Sequence, residues 1–159
     1  MRYQCALIAV KDVHKSLAFY KKWFGVEVEV DLGWNIGLKG GLALQEHFAE
    51  LVGFGQDTVK ECAHNMELYF ETEDLDDVNA RLQADASIGW VHPMKEYPWR
   101  QRVIRIYDPD MHIIEIGESM PSVFLRVKAE GHTLEEVAQI TQHPLEYVRA
   151  VVEGKLERK

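Results

Sequence analysis

Cysteine is scarce: the 159-residue chain has two, Cys5 and Cys62, with no paired spacing. That excludes a disulfide framework and sets the expectation of a reducing, cytoplasmic setting. Basic residues are the minority, 18 against 26 acidic, giving a net charge of −8. A nucleic-acid footprint needs a basic face, so nucleic acid is not an expected partner. No apolar run approaches the roughly 18 residues of a membrane span. The N-terminus, Met1-Arg2-Tyr3-Gln4-Cys5, runs straight into a strand-like segment without signal-peptide architecture. The length suits one domain with an appendage, enough for a proper core.

What is present is a pattern used twice. Tyr3 to Val10 is apolar and strand-like, and Asp12 opens a helix whose apolar stripe includes Val13, Leu17, Tyr20 and Phe24, ended by Gly25. Val26 to Val30 alternates with Glu27 and Glu29, and Trp34–Leu38 and Leu42–Glu46 form a hairpin around Lys39-Gly40-Gly41. His47 to Glu61 is polar and aperiodic, and reads as a connecting loop. Then Met66 to Thr72 predicts a strand, Asp74 to Leu82 a helix, and Trp90–Met94, Arg102–Tyr107 and His112–Ile116 three more strands. An offset of 62 residues sets Val10 on Thr72 and Asp12 on Asp74. A βαβββ unit used twice accounts for this.

The β pattern stops after Pro121. Ser122–Ala129 predicts a helix, Thr133 and Glu136 form a capping box for a second, and His143-Pro144 opens a third. Residues 1–120 therefore read as one domain, with modules at about 1–50 and 62–120, and 121–159 as a helical C-terminal extension. The last two helices resemble a helix-turn-helix in sequence. From Ser119 onward, however, six Lys or Arg are matched by six Asp or Glu, which favours a packing or dimer-contact role over DNA binding.

The stretch that organises the chain is Tyr107-Asp108-Pro109-Asp110-Met111-His112-Ile113-Ile114-Glu115-Ile116-Gly117. Proline presets the turn, the aspartates can hydrogen-bond local backbone, and the second strand carries one carboxylate among aliphatics. An acid between isoleucines is costly to bury without a partner such as a metal, a cation or a substrate donor. This run resembles the last hairpin of the vicinal-oxygen-chelate superfamily, which includes glyoxalase I, bleomycin-resistance proteins and extradiol dioxygenases. Asp108, Pro109, Asp110, His112 and Glu115 match its Asp-Pro-Asp-Gly-His…Glu pattern, and Met111 stands where Gly is usual. Val10-Lys11-Asp12, Ser16, Phe19-Tyr20 and Phe24-Gly25 are similar to the family's opening pattern.

The resemblance implies an α+β fold in which two βαβββ modules form a curved eight-stranded sheet around a cleft, a small-molecule ligand and a homodimer. It also implies a metal set for the metal-dependent members: Cys5 and Glu67 from the first strand of each half, Gln45 and Glu115 from the last. Strand alternation supports the same faces, placing Cys5 with Leu7 and Glu67 with Tyr69 and Glu71 opposite the helix-packed sides. On one reading, Glu67 and Glu115 hold a divalent cation (Zn²⁺, Mn²⁺, Ni²⁺, Fe²⁺ or Mg²⁺, identity open) that chelates vicinal substrate oxygens, one Glu shuttling a proton. On the other, the cleft is a metal-free binding pocket like that of the bleomycin-resistance members. A surrounding pocket of Trp34, Tyr69, His92, Trp99, Arg102 and Arg105 serves either reading. Alternatively, Arg102 or Arg105 neutralises Glu67 or Glu115 as a structural ion pair. Arg100 replaces the Gly usual beside Trp99.

Overall fold

The structure, a computed structural model, describes residues 1–155, so the last four residues of the expected extension lie outside the described residues. The chain divides into two compact units, residues 1–67 with 107–113, and residues 68–106 with 114–159.

The first unit runs β1 (Ala6–Ala9), α1 (Val13–Phe24), β2 (Val28–Asp31), β3 (Asn35–Leu38) and β4 (Leu42–Gln45), in sheet order β1-β4-β3-β2. β1 is parallel to β4, and the other pairs are antiparallel. Helix α1 starts where Asp12 accepts hydrogen bonds from the amides of His14 and Lys15, at 3.0 and 2.9 Å. It ends where Gly25 turns left-handed at φ 61°. Glu46, just after β4, accepts a hydrogen bond from the Val13 amide at 2.6 Å, satisfying another orphan donor of the first turn. Ile8, Val10, Val13, Tyr20, Ile36, Leu38 and Leu44 form the buried core.

Two expectations change here. The first strand is shorter than Tyr3–Val10, and Cys5 lies just before it. The connection at 47–61 is not plain loop: it contains a helix, α2 (Phe48–Val52), and a 3₁₀ turn at Gln56–Thr58. Five helical residues are too few to display a 3.6-residue period, and no side chain caps α2 at His47.

The second sheet repeats the first, with β5 (Glu67–Thr72), α3 (Leu75–Gln83), β6 (Gly89–Glu96), β7 (Arg102–Tyr107) and β8 (Ile113–Glu118) in the order β5-β8-β7-β6. Asp74 caps α3 through the Asp77 amide at 2.9 Å, the counterpart of Asp12. The two sheets thus have four strands each and the same internal order. Three helices follow: α4 (Met120–Ala129), α5 (Leu134–Thr141) and α6 (Leu145–Val152). The Thr133–Glu136 capping box forms as expected. Val123, Phe124, Val127, Val137, Ala138 and Val148 bury one another in a compact helical core.

Candidate functional site

The Asp-Pro-Asp turn is first of all a structural clamp within the first unit. Asp108 is buried, and one carboxylate oxygen accepts from the backbone amides of Asp110 and His112 at 2.9 and 2.8 Å. Its other oxygen accepts from the Tyr20 hydroxyl at 2.8 Å and meets His112 Nδ1 at 2.9 Å. Asp110 accepts from the Lys11 amide at 2.9 Å and the Ser16 hydroxyl at 2.8 Å. The two sequence patterns that carry the resemblance therefore hold each other. Burial, aided by Asp108, pushes the Tyr20 hydroxyl well above the tyrosine range. Burial pulls His112 down, yet its bond to the Asp108 carboxylate wins and holds the imidazole above its ordinary value. Met111 adopts φ 68°, so the left-handed turn geometry persists without the glycine.

Four predicted site residues lie in the first unit. Cys5 is exposed and free. Gln45 is 7% exposed, and both ends of its amide are engaged: Oε1 accepts from Asn35 at 2.8 Å and Nε2 donates to the Glu46 carbonyl at 2.6 Å. Trp34 is 62% exposed, with its ring 4.8 Å from that of His47. Glu67, at the start of β5, is exposed.

The second unit brings three predicted residues together. The turn bond from the Asp108 amide to the His112 carbonyl sets a register that carries Arg105 opposite Glu115. Their side chains form an ion pair, and Glu115 is 8% exposed. Arg105 also donates to the Tyr97 hydroxyl oxygen at 2.6 Å and to His92 Nε2 at 3.1 Å. Because guanidinium has no acceptor, His92 Nε2 must accept, and Nδ1–H then donates to the Pro93 carbonyl at 2.8 Å. A buried carboxylate between isoleucines has thus found a cation, one of the alternatives open in the sequence.

Beside this cluster, Tyr97 and Trp99 stack with centroids 4.8 Å apart and planes at 19°. Trp99 Nε1 donates to Gln101 Oε1 at 3.1 Å, while Gln101 Nε2 donates to the Tyr69 hydroxyl and the Glu118 carbonyl, each at 2.9 Å. Tyr69 in turn donates to Glu71 at 2.8 Å, and burial with that bond pushes its hydroxyl up to about 12. Gly117 makes this close approach possible: a Cβ there would sit 2.9 Å from the Tyr69 ring and 3.0 Å from Gln101 Nε2. Arg102 faces elsewhere, donating to buried Glu118 at 3.1 and 3.2 Å and to Asp76 at 3.1 Å. Arg126 of α4 joins it on Glu118. Burial raises the Glu118 carboxyl, but the two guanidiniums outweigh it and hold it below the usual range. Tyr97 and Gln101 are hubs absent from the expected pocket, although they flank its member Trp99 at a distance of two residues on either side.

Of the implied ligands Cys5, Gln45, Glu67 and Glu115, both Gln45 and Glu115 already have protein partners. Among the described residues, no group of three or more His, Cys, Asp or Glu is arranged to hold a metal ion. A guanidinium on Glu115 competes with a dication for the same lone pairs, and the Gln45 oxygen already accepts from Asn35. A metal ion at either residue would have to displace the partner that residue already has.

Known proteins agree with the fold. Residues 3–121 match the family model described as a glyoxalase-like domain. A protein of unknown function from Agrobacterium tumefaciens str. C58 is 32% identical, with TM-score 0.64, over 75% of this chain and 94% of that one. A glyoxalase/bleomycin resistance protein/dioxygenase family enzyme from Burkholderia phytofirmans PsJN is similar in fold at 19% identity, TM-score 0.64, over 74% and 98% of the two chains. So is a fosfomycin resistance protein from Listeria monocytogenes, at 20% identity, TM-score 0.57, over 75% and 93%. No curated protein matches the chain. The repeated βαβββ order, the clamped Asp-Pro-Asp turn and the matched 3–121 span lead to one conclusion: the chain belongs to the glyoxalase-like domain family.

Proposed function

We propose that this glyoxalase-like protein binds a small planar organic molecule without a metal, on the second-unit residues Arg105, Tyr97, Trp99 and Tyr69. The observation that supports this is the ion pair between Arg105 and Glu115, which engages the carboxylate at the position of the family's last metal ligand. Because the Tyr97 oxygen accepts from Arg105, its own hydrogen is available to a carbonyl or phenolate acceptor on the ligand. The stacked Tyr97 and Trp99 rings supply an aromatic edge for the ligand's apolar part. In tryptophan-fluorescence titrations run in EDTA, planar acceptors bind saturably and Tyr97→Phe weakens them about three- to tenfold, the worth of one hydrogen bond. Binding that appears only on adding a divalent cation, or that ignores Tyr97→Phe, overturns the reading.

The metal-dependent alternative keeps Glu67 and Glu115 as ligands and proton carriers, and it requires Arg105 to release Glu115. It therefore expects Arg105→Ala to raise metal affinity, which isothermal titration with Mn²⁺ or Zn²⁺ measures. A homodimer is the assembly we propose. Leu32, Trp34, Leu51 and Phe54 of the first unit, 62–70% exposed, are the large apolar side chains it would cover. Analytical ultracentrifugation reads the mass directly. No helix among the described residues is long and apolar enough to cross a membrane, and we place the protein in the cytoplasm on its cysteine usage.

A further inference from the structure

Two adjoining hollows, of about 310 and 300 Å³, lie within the first unit. They share Phe48, Val59, Lys60, Asp110 and His112 in their walls. None of their lining residues belongs to the second unit, where the Arg105 cluster is found. The proposed function assigns them no role.

Their chemistry is asymmetric. Both oxygens of Asp110 already accept hydrogen bonds, from the Lys11 amide and the Ser16 hydroxyl. Glu61 is paired with Lys11. Lys60, by contrast, has no hydrogen-bond or ion-pair partner for its ammonium among the described residues. His112 is held by Nδ1 on the buried Asp108 carboxylate, which fixes the ring and leaves Nε2 without a protein partner among the described residues. The Asp108 contact favours the protonated ring, a donor at Nε2. Val10, Phe48, Ala49 and Val59 give the wall an apolar stretch, beside the polar His47 and Gln56. Unsatisfied donors and cations beside an apolar stretch of wall recognise an anion attached to a small hydrophobic body. A volume near 300 Å³, at the lower end of small-molecule pockets, limits that body to about one ring or a short branched chain.

We infer that this first-unit cavity is a second ligand site, for a small apolar carboxylate held by Lys60 and by the Asp108-oriented His112. Lys11 joins when the incoming carboxylate displaces Glu61. The site does not rest on the function proposed for the second unit.

The test uses full-length, isotope-labelled protein in ¹H–¹⁵N titrations with three probes: benzoate, inorganic phosphate and benzylamine. Benzoate gives saturable shifts at Phe48, Lys60 and His112, stronger than those from phosphate, while benzylamine gives none. Lys60→Gln, an exposed change that leaves the fold intact, weakens benzoate about three- to fivefold, the worth of a solvent-exposed charge pair. Glu61→Gln, which frees Lys11, tightens it. Tyr97→Phe leaves these shifts unchanged, so failure here and failure of the second-unit reading are separable. Three results overturn the inference: no saturable shift with benzoate, benzylamine binding as well as benzoate, or phosphate binding more tightly than benzoate. Unchanged benzoate affinity in Lys60→Gln overturns it too.

Discussion

Asp108→Asn replaces one carboxylate oxygen by an NH₂ group and should cost the fold far more than a turn substitution usually does. The native carboxylate accepts four hydrogen bonds of 2.8–2.9 Å, two from backbone amides and two from the Tyr20 hydroxyl and His112 Nδ1. The asparagine oxygen can keep the backbone pair. Its NH₂ group then faces Tyr20, which is 0% exposed, and an imidazole nitrogen that was donating. Each charge-assisted bond contributes about 1.5–3 kcal/mol, and rotating the Tyr20 hydroxyl to accept recovers part of the loss, so we expect about 3 kcal/mol net. For a chain of this size that lowers the melting temperature by roughly 6–12 °C. Asparagine suits a turn as well as aspartate does, so a purely local role predicts a change within about 0.5 kcal/mol. The same contact has a pH signature. His112 is raised above its unfolded value, so its contribution is fully present below the ordinary histidine pKa and is lost as pH rises through the folded one. Urea unfolding at pH 6 and pH 8.5 should show this loss in the parent but not in Asp108→Asn, with the His112 titration followed by NMR. A variant as stable as the parent, with His112 titrating unchanged, would refute the clamp.

Met111→Val should destabilise by about 1–2 kcal/mol, because a β-branched residue tolerates φ 68° poorly, whereas Met111→Gly should not destabilise; paired chemical denaturation curves decide it. Gly117→Ala puts a methyl 3.0 Å from Gln101 Nε2 and should break the Tyr69–Gln101 bond, at about 1–3 kcal/mol. An ultraviolet pH titration checks it by finding the Tyr69 hydroxyl moved from about 12. Glu118 is held below its unfolded value by Arg126 and Arg102, so its contribution is present above that value and lost as pH falls through the folded one. Glu118→Gln should therefore be less stable at neutral pH and show a shallower loss from pH 6 to pH 3.

Where structure was legible in the sequence, the signal was local. Asp12, Gly25, Asp74 and Thr133 each mark a helix end by bonds to residues within a turn, and each sits at that end in the structure. The duplication was legible because one offset aligned two caps. The roles of Asp108 and Asp110 were not, since Tyr20 and Ser16 lie 88 and 94 residues away in the chain. Both motifs stood out, and nothing in either says that they touch. Arg105 with Glu115 is intermediate: the turn at 108–112 implies the register, and register implies the pair. The missed helix α2 has neither length nor cap to announce it. Arg100, like Met111, occupies a positive φ where the family pattern has glycine. Its bonds to Glu96 and Glu130, at 2.8 and 2.9 Å, offer a compensation that only the docked helix α4 makes visible.

The central claim is that a guanidinium stands in for a metal on Glu115. The most direct measurement is elemental analysis of untagged protein, beside Glu67→Ala and Glu115→Ala, with equilibrium dialysis against Mn²⁺, Zn²⁺, Ni²⁺ and Fe²⁺. The account predicts no tightly bound divalent ion in the parent and no metal dependence of ligand binding. One ion per chain, lost in both variants, would contradict it.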